Sequence, residues 1–208
     1  MKIAIVHYHL QPGGVTRVIE NTLQAWEENG TEIEAVALSG RAYPGDRLAN
    51  TREIEGLDYS SPQDAIDPRI LTERLRESAR HALGQAPDLW HIHNHSLGKN
   101  PSLTDAVSLL AEAGERILLH PHDFAEDGRP GNYLSLREVY PRVYPTGSHI
   151  HYAALNQRDR GFLAHMLKDS PSPVHLLANA VPPSSPFSAS VRENICDLPE
   201  NLFLLPFP

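Results

Sequence analysis

Short apolar runs alternate with amphipathic stretches along most of the chain. Residues 3–9 are rich in Ile and Val and predict a buried strand. Over 14–29, Val15, Val18, Ile19, Leu23 and Trp26 recur at three- and four-residue spacing, which predicts a helix with one apolar face. Asn29-Gly30 is a suitable stop for it. A second strand is expected over 31–40, with Ile33, Ala35 and Ala37 alternating against Glu32, Glu34 and Val36. Residues 41–68 are rich in Pro, Gly, Asp and Ser and predict a loop with at most a short edge strand. An amphipathic helix follows over 68–83, with Pro68 in its first turn and Gly84 at its end.

The same alternation then repeats. Strands are expected at 88–94, 115–123, 149–156 and 173–181, and helices at 100–114 and 157–168. The helix at 100–114 is expected to be capped near Ser102. Residues 124–148 are polar and proline-containing, with one short helix expected within "YLSLREVY". Strand–helix alternation of this kind predicts an α/β fold: a Rossmann-like parallel sheet with helices on both faces. The boundaries expected are a first unit over 1–181, a Pro/Ser-rich linker over 182–199, and a single new strand, "NLFLLPFP", near 200–208.

Composition narrows the function classes. The 208 residues carry a net charge of -8 and no run of Lys or Arg, so nucleic-acid binding is not expected. The single cysteine, Cys196, allows no intrachain disulfide. No apolar run approaches the roughly 20 residues that span a bilayer, and the first residues show no cleavage-site pattern. A cytoplasmic protein is the expectation.

The chemistry concentrates where an open parallel sheet binds ligands, at the carboxyl ends of its strands. Gly13 and Gly14 precede a helix start, where free N–H groups and absent Cβ atoms favour an anion. The pattern is not G-x-G-x-x-G, and no acidic residue follows the second strand at ribose-binding spacing, so no nicotinamide cofactor is expected. Histidine is abundant, at 12 residues, and clustered. Period-two spacing puts His91, His93 and His95 on one side of their strand and His120 with His122 on one side of theirs. H-x-H at a strand end suits a metal, which gives one rival reading, a metal-dependent hydrolase. However, barrel hydrolases place that motif on their first strand and need about 250 residues. The reading adopted assigns no metal and treats each His other than His122 as structural. His122-Asp123, at a central strand tip, can hydrogen-bond a sugar hydroxyl or polarise a developing charge.

Five stretches in order, "MKIAIVHYHLQPGGVTRVIENTLQAWEENGTEIEAVAL", "DLWHIHNHSLG", "ILLHPHDF", "YAALNQRDRGFL" and "VHLLANAV", resemble the N-terminal domain of GT-B glycosyltransferases, within them the retaining group numbered family four. The resemblance implies one half of a GT-B architecture. It places Gly13 and Gly14 in a loop facing the cleft, near the donor diphosphate and the acceptor. It places His122 beside the transferred sugar, with His93 and Asn94 lining the acceptor side. Asp123 and Arg158 complete the candidate binding set. No cofactor is implied beyond a nucleotide-sugar co-substrate, and the acceptor would be a sugar, a lipid or a small molecule.

Two departures from the family pattern stand out. Its N-G-V-D is Asn179-Ala-Val-Pro182 here, and Asn156 stands where many relatives have Ser. The second, nucleotide-binding domain of the family has no counterpart in these residues. The chain alone is therefore expected to be inactive, acting with a further C-terminal domain or a partner chain. A stand-alone binding module that pairs with a second polypeptide is the other rival reading.

Overall fold

The computed structural model describes residues 1–179. The expected linker, the strand at 200–208, the last two residues of the first unit and Cys196 lie outside the described residues.

Seven parallel strands form one sheet in the order β3-β2-β1-β4-β5-β6-β7. They are β1 (Lys2–Val6), β2 (Glu34–Ser39), β3 (Thr51–Glu53), β4 (Leu89–His93), β5 (Ile117–His120), β6 (Ile150–Ala154) and β7 (Val174–Leu176). The helices are α1 (Gly14–Glu28), α2 (Pro68–Leu83), α3 (Pro101–Glu112), the short α4 (Pro130–Ser135) and α5 (Gln157–Met166). The expected α/β sheet is therefore present, and β3 is the short edge strand within 41–68.

Two apolar layers hold the sheet. Ala4, Val6, Trp90, Ile92, Ile117, Leu119 and Tyr152 point to one face and pack with Leu71 and Leu75 of α2, Leu103 and Leu110 of α3, and Leu163 of α5. Ile3, Ile5 and Ala37 point to the other face and pack on Ile19 of α1. The strand order explains why β2 departs from simple alternation. Both Val36 and Ala37 are buried because each face of the inner strands is covered.

The helix ends follow local chemistry. Asp67 caps α2 by accepting from the N–H of Arg69, and Gly84 ends it in a left-handed conformation. Asn100, not Ser102, caps α3, accepting from the N–H of Leu103 at 3.1 Å. Asn156 caps α5, accepting from Asp159 N–H at 2.9 Å. The helix expected within "YLSLREVY" begins earlier, at Pro130, whose fixed φ suits a first turn. Strand ends are also shorter than the apolar runs suggest. Pro121 has no N–H to extend the ladder, so β5 stops at His120 and leaves His122 and Asp123 in the following turn.

Candidate active site

Register brings the histidines together. β1 lies beside β4, and β4 beside β5. His93 pairs with His120 across the β4–β5 ladder. His7, just past β1, shares the parity of Ile3 and Ile5, and its ring lies 6.3 Å from that of His93. His91 and His93 stand on that same sheet face, with ring centroids 4.3 Å apart. His91 Nε2 lies 3.1 Å from His120 Nδ1. His93 Nδ1 lies 2.8 Å from His122 Nε2. His122 stacks on His120 at 4.4 Å. His95 leaves the group, because the chain turns at Asn94, and its Nε2 meets the Val143 carbonyl at 2.9 Å.

This cluster is buried. His91, His93 and His120 are 6%, 1% and 2% exposed. Burial, reinforced by neighbouring rings, pushes His91 and His120 down to about 3. Burial likewise takes His122 to about 3, with His7 and His91 adding to the effect. Burial and His9 lower His7 to about 4. Burial lowers His95 to about 4 against the opposing Val143 carbonyl. His93 is held well below its ordinary value by burial first and the surrounding rings second. At neutral pH these rings are uncharged, so His122 presents a neutral imidazole that can accept or donate a hydrogen bond.

Asn94 fixes His122. It adopts φ 56, a left-handed conformation that Asn tolerates better than most residues. Its Oδ1 accepts from the backbone N–H of His122 at 2.6 Å and of Asp123 at 3.2 Å. Its own N–H donates to the His120 carbonyl at 3.2 Å. Its carbonyl accepts from the buried Tyr8 hydroxyl at 2.7 Å. One residue thus ties the tips of β1, β4 and β5. Asn94 is 3% exposed, so both it and His93 face inward in this structure.

The remaining sequence-predicted residues lie around this centre. Asp123 pairs with Arg129 at 2.6 Å. Gly13 and Gly14 form the β1–α1 turn, one strand over, where the helix start has no side-chain cap. Packing inside the chain requires neither glycine. Among the described residues, a Cβ at Gly13 would lie 3.7 Å from the Gln11 carbonyl oxygen, and one at Gly14 would meet nothing within 4 Å. The turn borders a cleft of about 240 Å³ lined by Thr16, Arg17, Glu20 and Tyr43 among others. The nearly buried Glu20 carboxylate is held there by Arg17 at 2.8 Å, Arg47 at 2.9 Å and the Tyr43 hydroxyl at 2.8 Å. Arg158 stands apart at the start of α5, exposed and paired with Asp127 at 3.0 Å.

The sequence did not single out Tyr8, Glu20 or Tyr59. Tyr59 comes from the 41–68 loop and is 46% exposed. Its ring meets His9 edge-on at 4.8 Å, and the Lys99 ammonium lies 5.4 Å from its centroid. An exposed aromatic in a polar loop was the one available signal.

The seven-stranded parallel sheet with its polar side chains gathered at the strand tips is a Rossmann-like α/β fold, and two known proteins, one a sugar-phosphoglycerate synthase by name, are similar to it. The chain is 29% identical over 168 residues to the mannosylglucosyl-3-phosphoglycerate synthase of Petrotoga mobilis (strain DSM 10674 / SJ95), a match covering 74% of this chain and 32% of that protein. Its fold matches that of Phytolacca americana apo UGT2 with a TM-score of 0.51 at 11% identity, over 95% of this chain and 55% of that structure. The chain thus spans well under two thirds of either protein. No known protein-family profile matches it. Among the described residues, no helix is long and apolar enough to cross a membrane.

Proposed function

We propose that this chain is the acceptor-side half of a GT-B glycosyltransferase of the retaining, family-four type. The parent activity is transfer of a sugar from a nucleotide-sugar to an acceptor. The observation that carries this reading is the Asn94-held turn that sets His122 at the tip of a central strand, in a glycosyltransferase fold. In this reading the uncapped start of α1, with Gly13 and Gly14, faces the donor diphosphate. Neutral His122 hydrogen-bonds the transferred sugar, with Asp123 beside it. Arg158 lies at the rim. Tyr59 offers an exposed ring face to an acceptor sugar. Catalysis is positioning plus electrostatic stabilisation of the leaving diphosphate, without a metal in the transfer step.

The counter-charge for that diphosphate is assigned to a further domain or a partner chain, so the 208 residues alone are inactive in this account. The test is transfer of labelled sugar by the chain extended past Pro208 through its natural reading frame. Glycosylated phosphoglycerates head the acceptor panel, because the relative's name contains that group. Transfer with retained anomeric configuration supports the reading. Full turnover by the 208-residue chain alone contradicts it.

A further inference from the structure

We propose that His91, His93 and His120 form a buried tri-imidazole site for one divalent transition-metal ion of the zinc class, joining the tips of β4 and β5. The inference does not depend on sugar transfer, and the ion takes no part in that chemistry.

Three observations carry it, the first being where the rings stand. One ring nitrogen from each of the three side chains lies within 4.8 Å of the others. All three side chains are buried. Their placement is a property of the sheet rather than of loops, because H-x-H on β4 puts two rings on one face and the ladder pairs His93 with His120.

The second observation is what hydrogen bonding leaves over. Ring-to-ring contacts engage His91 Nε2 with His120 Nδ1 and His93 Nδ1 with His122 Nε2. Among the described residues, His93 Nε2 and His120 Nε2 remain buried with no partner. Buried polar nitrogens are almost always paired, so two bare ones in one trio need an account. A metal ion accepts such lone pairs.

The third observation is spacing. Two nitrogens bound to zinc at about 2.0–2.1 Å stand about 3.3 Å apart on a tetrahedron's edge. One nitrogen from each ring already lies within 4.8 Å of the others, so small side-chain rotations bring all three to that spacing. An all-imidazole set suits zinc, copper or nickel and not calcium or magnesium, which take oxygen. Three protein nitrogens leave the fourth position of a tetrahedron to a water or a further ligand.

The molecule supplies its own control. His151 on β6 and His175 on the edge strand β7 form a second ring pair, 2.9 Å apart. Two imidazoles, one half-buried and one exposed, bind metal only adventitiously.

The test loads the 208-residue chain with Zn²⁺ or Co²⁺, dialyses it exhaustively and measures retained metal by elemental analysis. The expected result is one equivalent, with a tetrahedral Co²⁺ spectrum. Retention survives the double change His151→Ala, His175→Ala and weakens roughly 100-fold or more in His91→Phe or His120→Phe. X-ray absorption on the Zn²⁺-loaded unmodified chain needs no variant and so covers a failure of either to fold. At least three imidazole nitrogens at about 2.0–2.1 Å are expected there. No retained metal, retention abolished by the His151/His175 change, or a shell of two imidazoles and oxygens overturns the proposal.

Discussion

Asn94 Oδ1 accepts the backbone N–H of His122 at 2.6 Å, so the end of β4 sets the position of the turn that follows β5. Two properties of Asn94 produce this contact, its left-handed backbone and its side-chain acceptor. Substitution separates them. Asn94→Gly keeps the backbone freedom and loses the acceptor, which leaves two N–H groups unpaired and costs about 1–3 kcal/mol. Asn94→Ala loses both and is expected to be less stable than Asn94→Gly by about 1 kcal/mol more. Urea unfolding of the two variants checks the order; equal stability contradicts the left-handed requirement.

The buried histidines make stability pH-dependent. Their folded values, about 3 for His91, His120 and His122 and about 4 for His7, lie below the ordinary 6.5. Above 6.5 both folded and unfolded chains hold them neutral, and the fold has its full stability. As pH falls below 6.5 the unfolded chain takes up protons first, so stability drops until the folded values are reached. Each ring contributes up to about 1.4 kcal/mol per pH unit in that window. Unfolding in chelator-treated buffer is expected with a midpoint between pH 6 and 4. A flat stability from pH 7 to 4 contradicts the burial of these rings.

The elements of this fold were legible because their signals are local. Val15, Val18 and Ile19 recur at helical spacing, and the Ile/Val runs mark inner strands. The parity of His91 and His93 was likewise readable. That His7, His93 and His120 meet was not, because it needs the order β1-β4-β5 and the register between strands far apart in sequence. Asn94 was legible as a strand-end residue but not as the anchor of His122, 28 positions away. Glu20 falls outside the apolar stripe of α1, and its burial depends on Arg47 from a loop.

Gly14→Val tests the turn before α1. A Cβ there meets nothing within 4 Å, so thermal stability is expected to shift by less than about 1 kcal/mol. Affinity of the extended protein for a nucleotide-sugar is expected to fall at least about tenfold, by about 1.4 kcal/mol or more. Unchanged donor affinity moves the diphosphate away from this turn.

Tyr59→Ala removes the exposed ring beside His9. In the extended protein it is expected to raise the acceptor KM several-fold and to leave donor affinity unchanged, since stacking on an aromatic face contributes about 0.5–1.5 kcal/mol beyond area burial. A loss confined to donor affinity contradicts the acceptor-side assignment.

The most direct test of the central claim is calorimetric titration of UDP-, GDP- and ADP-sugars into the 208-residue chain and into the form extended through its reading frame. The His122→Ala variant of the extended form is assayed for turnover alongside. The account predicts donor binding by the extended form alone, and a roughly 10²-fold or greater fall in kcat for His122→Ala in protein that remains folded by circular dichroism. Absence of nucleotide binding by both forms, or undiminished turnover in His122→Ala, contradicts it.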